Sequence, residues 1–360
     1  MVVTYEMVYY QNTLIGGLKM THNNKVLLKG FPPHIHLAYG IERHKPTFFG
    51  VHMRPFCNFR CRKCFIGEQK QLYGPNPILS TSEIESIMNS AANVGVKVMG
   101  ISGAGEPFLD TRITEIIRVA NNLGFITIIP TNGSVLTKDL VQFLRDNNVT
   151  LALSFDTTDA DVFASITGTN PDMFRKVLDN ILMAQDVYSG TLEEVTINGE
   201  HALLHRIAIH MTMQNDNQAE IDKVRRLVGK DTLFSISPLA KAGFAQHTNK
   251  SDDLQTDKNI TERHIVVCFD ERHECDICGF FRYGIDINFD GQLLLDAHAI
   301  ETRDLFGNIR DFGYDIASAY SDMDNQKDEF VRNWLEGFCP VRSPRLNEWI
   351  GKKRGLPCES

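Results

Sequence analysis

Six short apolar runs between residues 48 and 236 alternate with amphipathic stretches, and this alternation restricts the fold more tightly than anything else in the sequence. The apolar runs are 48–53, 96–101, 125–129, 150–155, 206–213 and 232–236. Ser80 and Glu83 form a capping box ahead of Ile84, Ile87, Met88 and Ala91, which recur at helical spacing. Asp110 is placed to cap a helix whose inner face is Ile113, Ile116, Ile117 and Ala120. Residues 137–146 present Leu140 and Leu144, Phe174 to Leu182 mark the next helix, and 221–228 supply the last. Short strands separated by helices are parallel, because parallel neighbours need crossover connections. The expected class is therefore α/β. A complete eight-unit barrel takes about 250 residues, so the span fits a partial (β/α)6 TIM-like barrel over 48–240. Residues 1–47 then read as an N-terminal extension, and Thr191–His205 as an insertion before the fifth strand. Functional residues in such sheets sit just past the carboxyl ends of the strands.

From residue 241 the pattern changes. A polar stretch over 246–263 reads as a linker or loop. Residues 241–360 form a cysteine-rich C-terminal region with a β-hairpin signal: apolar alternation over 284–289, an Asp290-Gly291 turn, then Leu293 to Leu295. Lys and Arg (37) against Asp and Glu (45) leave a net charge of −8, the wrong sign for coating nucleic acid through its phosphates. No apolar run approaches the ~18–20 residues of a membrane span. The N-terminus has no basic residue before Lys19 and no apolar core of a secretory signal. The expectation is a cytoplasmic chain with neither a nucleic-acid nor a membrane partner.

In a reducing compartment, clustered cysteines point to metal or redox chemistry rather than to disulfides. Cys57-x3-Cys61-x2-Cys64 directly follows the first strand. Three thiolates can hold three irons of a [4Fe–4S] cluster and leave the fourth open to a ligand. A zinc knuckle with His52 as fourth ligand is the competing reading. The second group is Cys268, Cys275, Cys278, Cys339 and Cys358; Cys275-x2-Cys278 with two further cysteines suits tetrahedral zinc as well as an iron–sulfur cluster. At the end of the second strand, glycines would let backbone approach a ligand while the Glu106 carboxylate takes an ammonium. The plain alternative makes Glu106-Pro107 a helix-start turn. His34 and His36 would share one face of a strand, and are read as structural.

The ordered set resembles the radical S-adenosylmethionine (radical SAM) family. The resemblance implies that Cys57, Cys61 and Cys64 hold the SAM-binding cluster. It implies that Ser102-Gly103-Ala104-Gly105-Glu106-Pro107 holds the methionyl amine, that Asn132-Gly133 is the family's recurring turn, and that Ser154 and Asp156 lie near the SAM carboxylate and ribose. Segments 162–168 and 212–215 have counterparts too. Lys63 departs from the pattern, since the family usually has an aromatic there; Phe59 or Phe65 is the expected cover for the adenine. Cys278-x12-Gly291-x4-Asp296 is similar to the opening of SPASM and twitch auxiliary-cluster domains. That implies one auxiliary [4Fe–4S] cluster from Cys275, Cys278, Cys339 and either Cys268 or Asp296. Of the remaining cysteines, Cys268 or Cys358 is a candidate hydrogen-atom donor.

The resemblance further implies an oxidoreductase or epimerase that cleaves SAM to a 5′-deoxyadenosyl radical and removes a hydrogen atom from a small polar substrate such as an amino sugar or aminocyclitol. Flavodoxin or ferredoxin would supply electrons. Maturation of a ribosomal peptide is the alternative; the 56 residues before Cys57 are fewer than the leader-binding domain such enzymes often carry. A zinc-stabilised binding protein is the non-enzymatic reading.

Overall fold

A computed structural model describes residues 25–39, 45–66, 76–197, 199–239, 281, 283–335, 343 and 345–355. In chain order the elements are β1 (Lys25–Leu28), α1 (Pro32–Tyr39), β2 (Phe48–Met53), α2 (Thr81–Asn93), β3 (Val98–Gly103), α3 (Ile113–Asn122) and β4 (Ile126–Thr131). Next come α4 (Lys138–Asp146), β5 (Val149–Ser154), α5 (Ala160–Thr167), α6 (Asp172–Val187), β6 (Glu193–Ile197), β7 (Glu200–His205) and β8 (Ile207–Met213). The last are α7 (Ile221–Arg225), β9 (Leu233–Pro238), β10 (Gly284–Ile287), β11 (Leu293–Leu294), α8 (Ile316–Asn333) and α9 (Leu346–Lys353).

All six expected strands are present and parallel, in the order β2-β3-β4-β5-β8-β9. This is the partial α/β barrel that the periodicity predicts. Helices α2 to α7 cross over between its strands. Side chains alternate across a strand, so Phe49, Val51 and Met53 pack outward with Ile84, Ile87, Ile116 and Ile117 of the helices. Each such fully buried side chain contributes about 1.5–3 kcal/mol. Phe48, Val98, Ile126 and Ile128 face the other way and pack on Ile35 of α1, which floors the barrel.

Several local expectations hold in detail. Ser80 and Glu83 make the reciprocal capping box of α2, and Thr137 caps α4. Asp110 instead stands two residues ahead of the N-cap of α3, where its Oδ1 accepts from the backbone and side chain of Arg112. His34 and His36 lie in α1, not in a strand, because Pro32 and Pro33 open a helix with their fixed φ; residues two apart on a helix share no face. The insertion is the antiparallel hairpin β6–β7, and β7 pairs with β1 in a separate three-stranded sheet.

The C-terminal hairpin is also present, with Asp286 opposite Leu294 and Gly291 at φ 86° in the turn. Its strand β10 runs parallel beside β2 and so extends the barrel sheet past its first strand. Arg310 fastens this segment to α2: its Nε donates to Glu83 Oε1 at 2.6 Å.

Candidate active site

The loop carrying the three cysteines leaves the carboxyl end of β2 and is held on three sides. Glu106 N donates to Phe56 O at 2.7 Å, tying the loop to the turn after β3. At Gly105 a Cβ would run into the Phe56 backbone, so only glycine permits that approach. Arg60 N and Arg62 N donate to Thr167 O and Ile166 O at 2.8 and 2.9 Å, docking the loop on the C-terminal turn of α5. Arg62 reaches on to Gln214 Oε1 and pairs with Asp216 beyond β8.

Cys57, Cys61 and Cys64 are in no disulfide and lie close enough to influence one another electrostatically. Burial pushes Cys57 up to about 11 and Cys61 up to about 12, with neighbouring negative groups adding to the rise. The protein alone therefore does little to favour thiolates, whereas iron ligation deprotonates a thiol outright. Among the described residues no three His, Cys, Asp or Glu side chains gather to hold one metal ion. His52 sits among Asn288, Ala297, Asp296 and His298. Burial and then His298 push it down to about 4.

Glu106 is the N-cap of a short 3-10 turn over Pro107–Leu109, as the plain reading of that dipeptide requires, and Phe108 N donates to it. Its carboxylate also reaches the end of β4. Oε1 accepts from Thr131 Oγ1 at 2.6 Å, and Oε2 from Asn132 N at 2.8 Å. The residue is 3% exposed, and burial drives its carboxyl up to about 7 against these three hydrogen bonds. No described lysine or arginine pairs with it. A cation bound beside a buried carboxylate offsets the cost of burying its charge. Asn132 joins it to the cysteine loop by donating through Nδ2 to Asn58 Oδ1 at 3.0 Å and toward Cys57 Sγ at 3.9 Å. Gly103, in the same turn, has no room for a Cβ against the backbone of Gly105.

On the opposite side, Ser154 ends β5 and Asp156 follows it, buried. Asp156 Oδ1 accepts from Thr212 N at 2.8 Å, and Oδ2 lies 2.5 Å from Lys63 Nζ. Lys63 also donates to Thr212 Oγ1 at 3.3 Å. The lysine that departs from the family pattern thus binds the loop to the carboxyl ends of β5 and β8. Phe59 does not cover a ligand: it is buried edge-on against Phe163 in the core. Phe65 packs against His298 with ring centres 4.4 Å apart and ring planes tilted by 56°.

The structure brings Cys57, Cys61, Cys64, Gly103, Gly105, Glu106, Asn132 and Asp156 to one end of the barrel. Asp296 lies in the turn after β11, where its Oδ1 accepts from the backbone N and Nδ1 of His298, both at 2.9 Å. Burial opposes its ionisation, but these bonds hold its carboxyl low. Cys268, Cys275, Cys278, Cys339 and Cys358 lie outside the described residues. Thr131 and Gln214 fall in segments that the sequence singles out, at 131–133 and 212–215, but nothing in a lone threonine or glutamine announces their contacts with Glu106 and Arg62.

Residues 51–202 match the radical SAM superfamily. The chain is 38% identical to a GTP 3′,8-cyclase of Pectobacterium atrosepticum over 135 residues, 36% of this chain and 40% of the relative. It is 34% identical over 129 residues to an S-adenosylmethionine-dependent nucleotide dehydratase of Lacinutrix mariniflava, covering 33% of this chain and 26% of the relative. Both alignments span less than two thirds of the relative's length. Its fold is similar to that of Streptococcus suis SuiB bound to S-adenosylmethionine, with a TM-score of 0.59 at 16% identity over 81% of this chain and 68% of that one. No described helix is long and apolar enough to cross a membrane.

Proposed function

We propose that the chain is a radical SAM enzyme, of the superfamily whose model its residues 51–202 match, that it binds SAM and a [4Fe–4S] cluster, and that it abstracts a hydrogen atom from a small polar substrate and so oxidises or epimerises it. The observation that carries the site assignment is Glu106, a buried carboxylate with no cationic partner among the described residues, linked through Asn132 to the cysteine loop. Cys57, Cys61 and Cys64 would hold the cluster, and the donor set fits it: three thiols outside any disulfide, on one loop at the strand ends. When bound, cluster and SAM supply an electron and a 5′-deoxyadenosyl radical.

The chain's own residues position and shield. Glu106 takes the methionyl ammonium, while Thr131 and Asn132 fix the orientation of its carboxylate. Gly103 and Gly105 bring backbone close to the ligand. Asp156, held by Lys63 and Thr212 N, accepts from the ribose, with Ser154 beside it. Phe65, rather than Phe59, is the aromatic available on the loop for the adenine. An auxiliary [4Fe–4S] cluster of the SPASM or twitch type would use Cys275, Cys278 and Cys339, with Cys268 the better fourth ligand, because Asp296 spends Oδ1 on its own turn. Cys268 or Cys358, if not a ligand, would return a hydrogen atom in an epimerisation.

The names of the sequence relatives favour a second substrate reading, a nucleotide, and the two readings share every step up to the radical. The test is anaerobic incubation of the cluster-loaded protein with SAM and dithionite. Formation of 5′-deoxyadenosine supports the proposal. Its loss in the Cys57→Ala/Cys61→Ala/Cys64→Ala variant locates the reaction, whereas cleavage that persists in that variant would sink the ligand assignment. An amino sugar, an aminocyclitol and GTP offered separately then report the substrate through consumption in deuterated water.

A further inference from the structure

Inside the barrel, three polar side chains on the wall formed by β2 and β10 are buried with bonding capacity unspent. His52 is 1% exposed, Asp286 2% and Asn288 0%. Among the described residues, neither ring nitrogen of His52 has a hydrogen-bond partner, nor do Oδ1 of Asp286 and Oδ1 of Asn288. The His52 ring lies beside Asn288 and the backbone of Ala297, but closes hydrogen-bond geometry with neither.

The strand pattern puts all three on one face. Ile285 and Ile287 of β10 pack outward into the helical core, as do Val51 and Met53 of β2. Alternation then turns Asp286, Asn288 and His52 inward. Asp286 pairs in register with Gly50, and Ile287 with Val51, so Asn288 comes level with His52. Gly50 is what admits the Asp286 carboxylate, since a Cβ there would overlap Oδ1. Asn288 spends Nδ2 on Asp290 Oδ1 at 2.8 Å and its backbone N on Gln292 O, which leaves its side-chain carbonyl for another partner. The wall adjoins the cysteine loop through Phe65, which packs against His298, itself bonded to Asp296. The Asp296 carboxylate faces Asp286 from that turn, with Lys327 and His298 the cations nearest it.

The inventory of free positions specifies a ligand. Asp286 Oδ1, Asn288 Oδ1 and one nitrogen of a neutral imidazole are three acceptors, and the other imidazole N–H is a donor. An amino group brings the matching donors, and an acceptor beside it, the hydroxyl oxygen of an amino alcohol or the ring nitrogen next to a purine amino group, takes the imidazole proton. Native chains seldom leave several buried polar atoms unpaired in one place. We propose that His52, Asp286 and Asn288 are substrate-positioning residues that bind an amino group flanked by a hydrogen-bond acceptor. That chemistry occurs in a vicinal amino alcohol and in the amino edge of a purine base. The inference rests on the reading of the barrel as the catalytic chamber, and it names the feature of the substrate which that reading leaves open.

The test is calorimetric titration of the cluster-loaded full chain in the presence of SAM, with two matched pairs: trans-2-aminocyclohexanol against trans-1,2-cyclohexanediol, and guanosine against inosine. At pH 8, above the value of about 7 to which burial and the neighbouring Asp296 push the Asp286 carboxyl, a hydrogen bond to the ionised carboxylate predicts that the amino member of one pair binds about ten-fold more tightly than its partner. The pair that shows the preference identifies the source of the amino group. Asp286→Asn and His52→Gln should each abolish the preference, a ratio that general loosening of the wall would not move selectively. Iron content and circular dichroism check that each variant is folded, and the second stands in for the first if it is not. Equal affinities within both pairs overturn the inference, as does a preference that survives both substitutions, because ordered water would then account for the free positions. SAM binding by the same wild-type sample separates the two levels: no SAM binding refutes the enzyme reading, whereas SAM binding without amine preference refutes only this site.

Discussion

Exchange of Glu106 for glutamine keeps the side-chain volume and removes the charge, and its effect on SAM binding can be worked from the surroundings of the carboxylate. Burial moves this carboxyl from 4.5 to about 7. Roughly a tenth of the protein then carries the ionised form at pH 6 and roughly three quarters at pH 7.5. An ammonium binds to the ionised form, so SAM affinity in the wild type should rise about five-fold across that interval, part of the gain being lost as the amine itself begins to deprotonate near ~7.7–8. A hydrogen bond to a charged partner contributes about 1.5–3 kcal/mol, so Glu106→Gln should weaken SAM binding about 10- to 100-fold at pH 7.5. At pH 6 the two proteins should differ much less. The assay is equilibrium binding to cluster-loaded protein under anaerobic conditions without reductant, which keeps SAM intact. A wild-type affinity that is flat or falls between pH 6 and 7.5 would refute the argument, and so would an identical pH profile in Glu106→Gln.

The same burial predicts that stability of the SAM-free protein falls as pH rises from 4.5 through 7, because the folded carboxyl holds its proton where the unfolded one has lost it; the drop is at most about 3 kcal/mol and should be missing from Glu106→Gln in denaturant titrations at pH 5 and 8. Lys63→Met strands the buried Asp156 carboxylate without its cation and should cost about 3 kcal/mol, most of it recovered in the double variant with Asp156→Asn, as a double-mutant cycle would read. Gly105→Ala forces a methyl against the Phe56 backbone, so it should lower stability by about 1–3 kcal/mol and reduce the iron bound per chain, measured by denaturation and elemental analysis. Arg310 holds the Glu83 carboxyl down at about 2, so this pair stabilises the fold above pH 4.5 and is lost as pH falls toward 2; Arg310→Met should flatten that acid-side decline in melting temperature.

The barrel was legible because its signals are local. Each strand is a short apolar run buried on both faces, and each crossover helix carries its own stripe and often its own cap, as at Ser80 and Thr137. The cysteine loop, Glu106 and Asp156 could be placed for the same reason: each stands just past the end of a strand the periodicity had located. What failed locally did so through competing local chemistry. Pro32-Pro33 opened a helix where alternating histidines suggested a strand, and the aromatic Phe59 went to the core because the loop that carries it is docked on α5.

The rest was illegible because it depends on pairings far apart in the chain. The hairpin after residue 283 could be read from Asp290-Gly291, but nothing in it announces that β10 will lie beside β2, more than two hundred residues earlier. That one pairing changes the meaning of several side chains. His52 in an apolar strand reads as a spare ligand for the neighbouring cysteines, and Asp286 as the polar face of a half-exposed hairpin. Once Asp286 stands over Gly50 and Asn288 beside His52, the two polar anomalies become one inward-facing wall, and Gly50 acquires a reason to be glycine. In the proposed chamber β10 brings Asp286 and Asn288 beside His52, whereas the residues proposed for SAM end or follow β3, β4 and β5. The superfamily match over residues 51–202 covers most of the second set and stops short of β10. His52 lies inside the match, but the proposed wall of His52, Asp286 and Asn288 is assembled only when β10, outside it, pairs with β2.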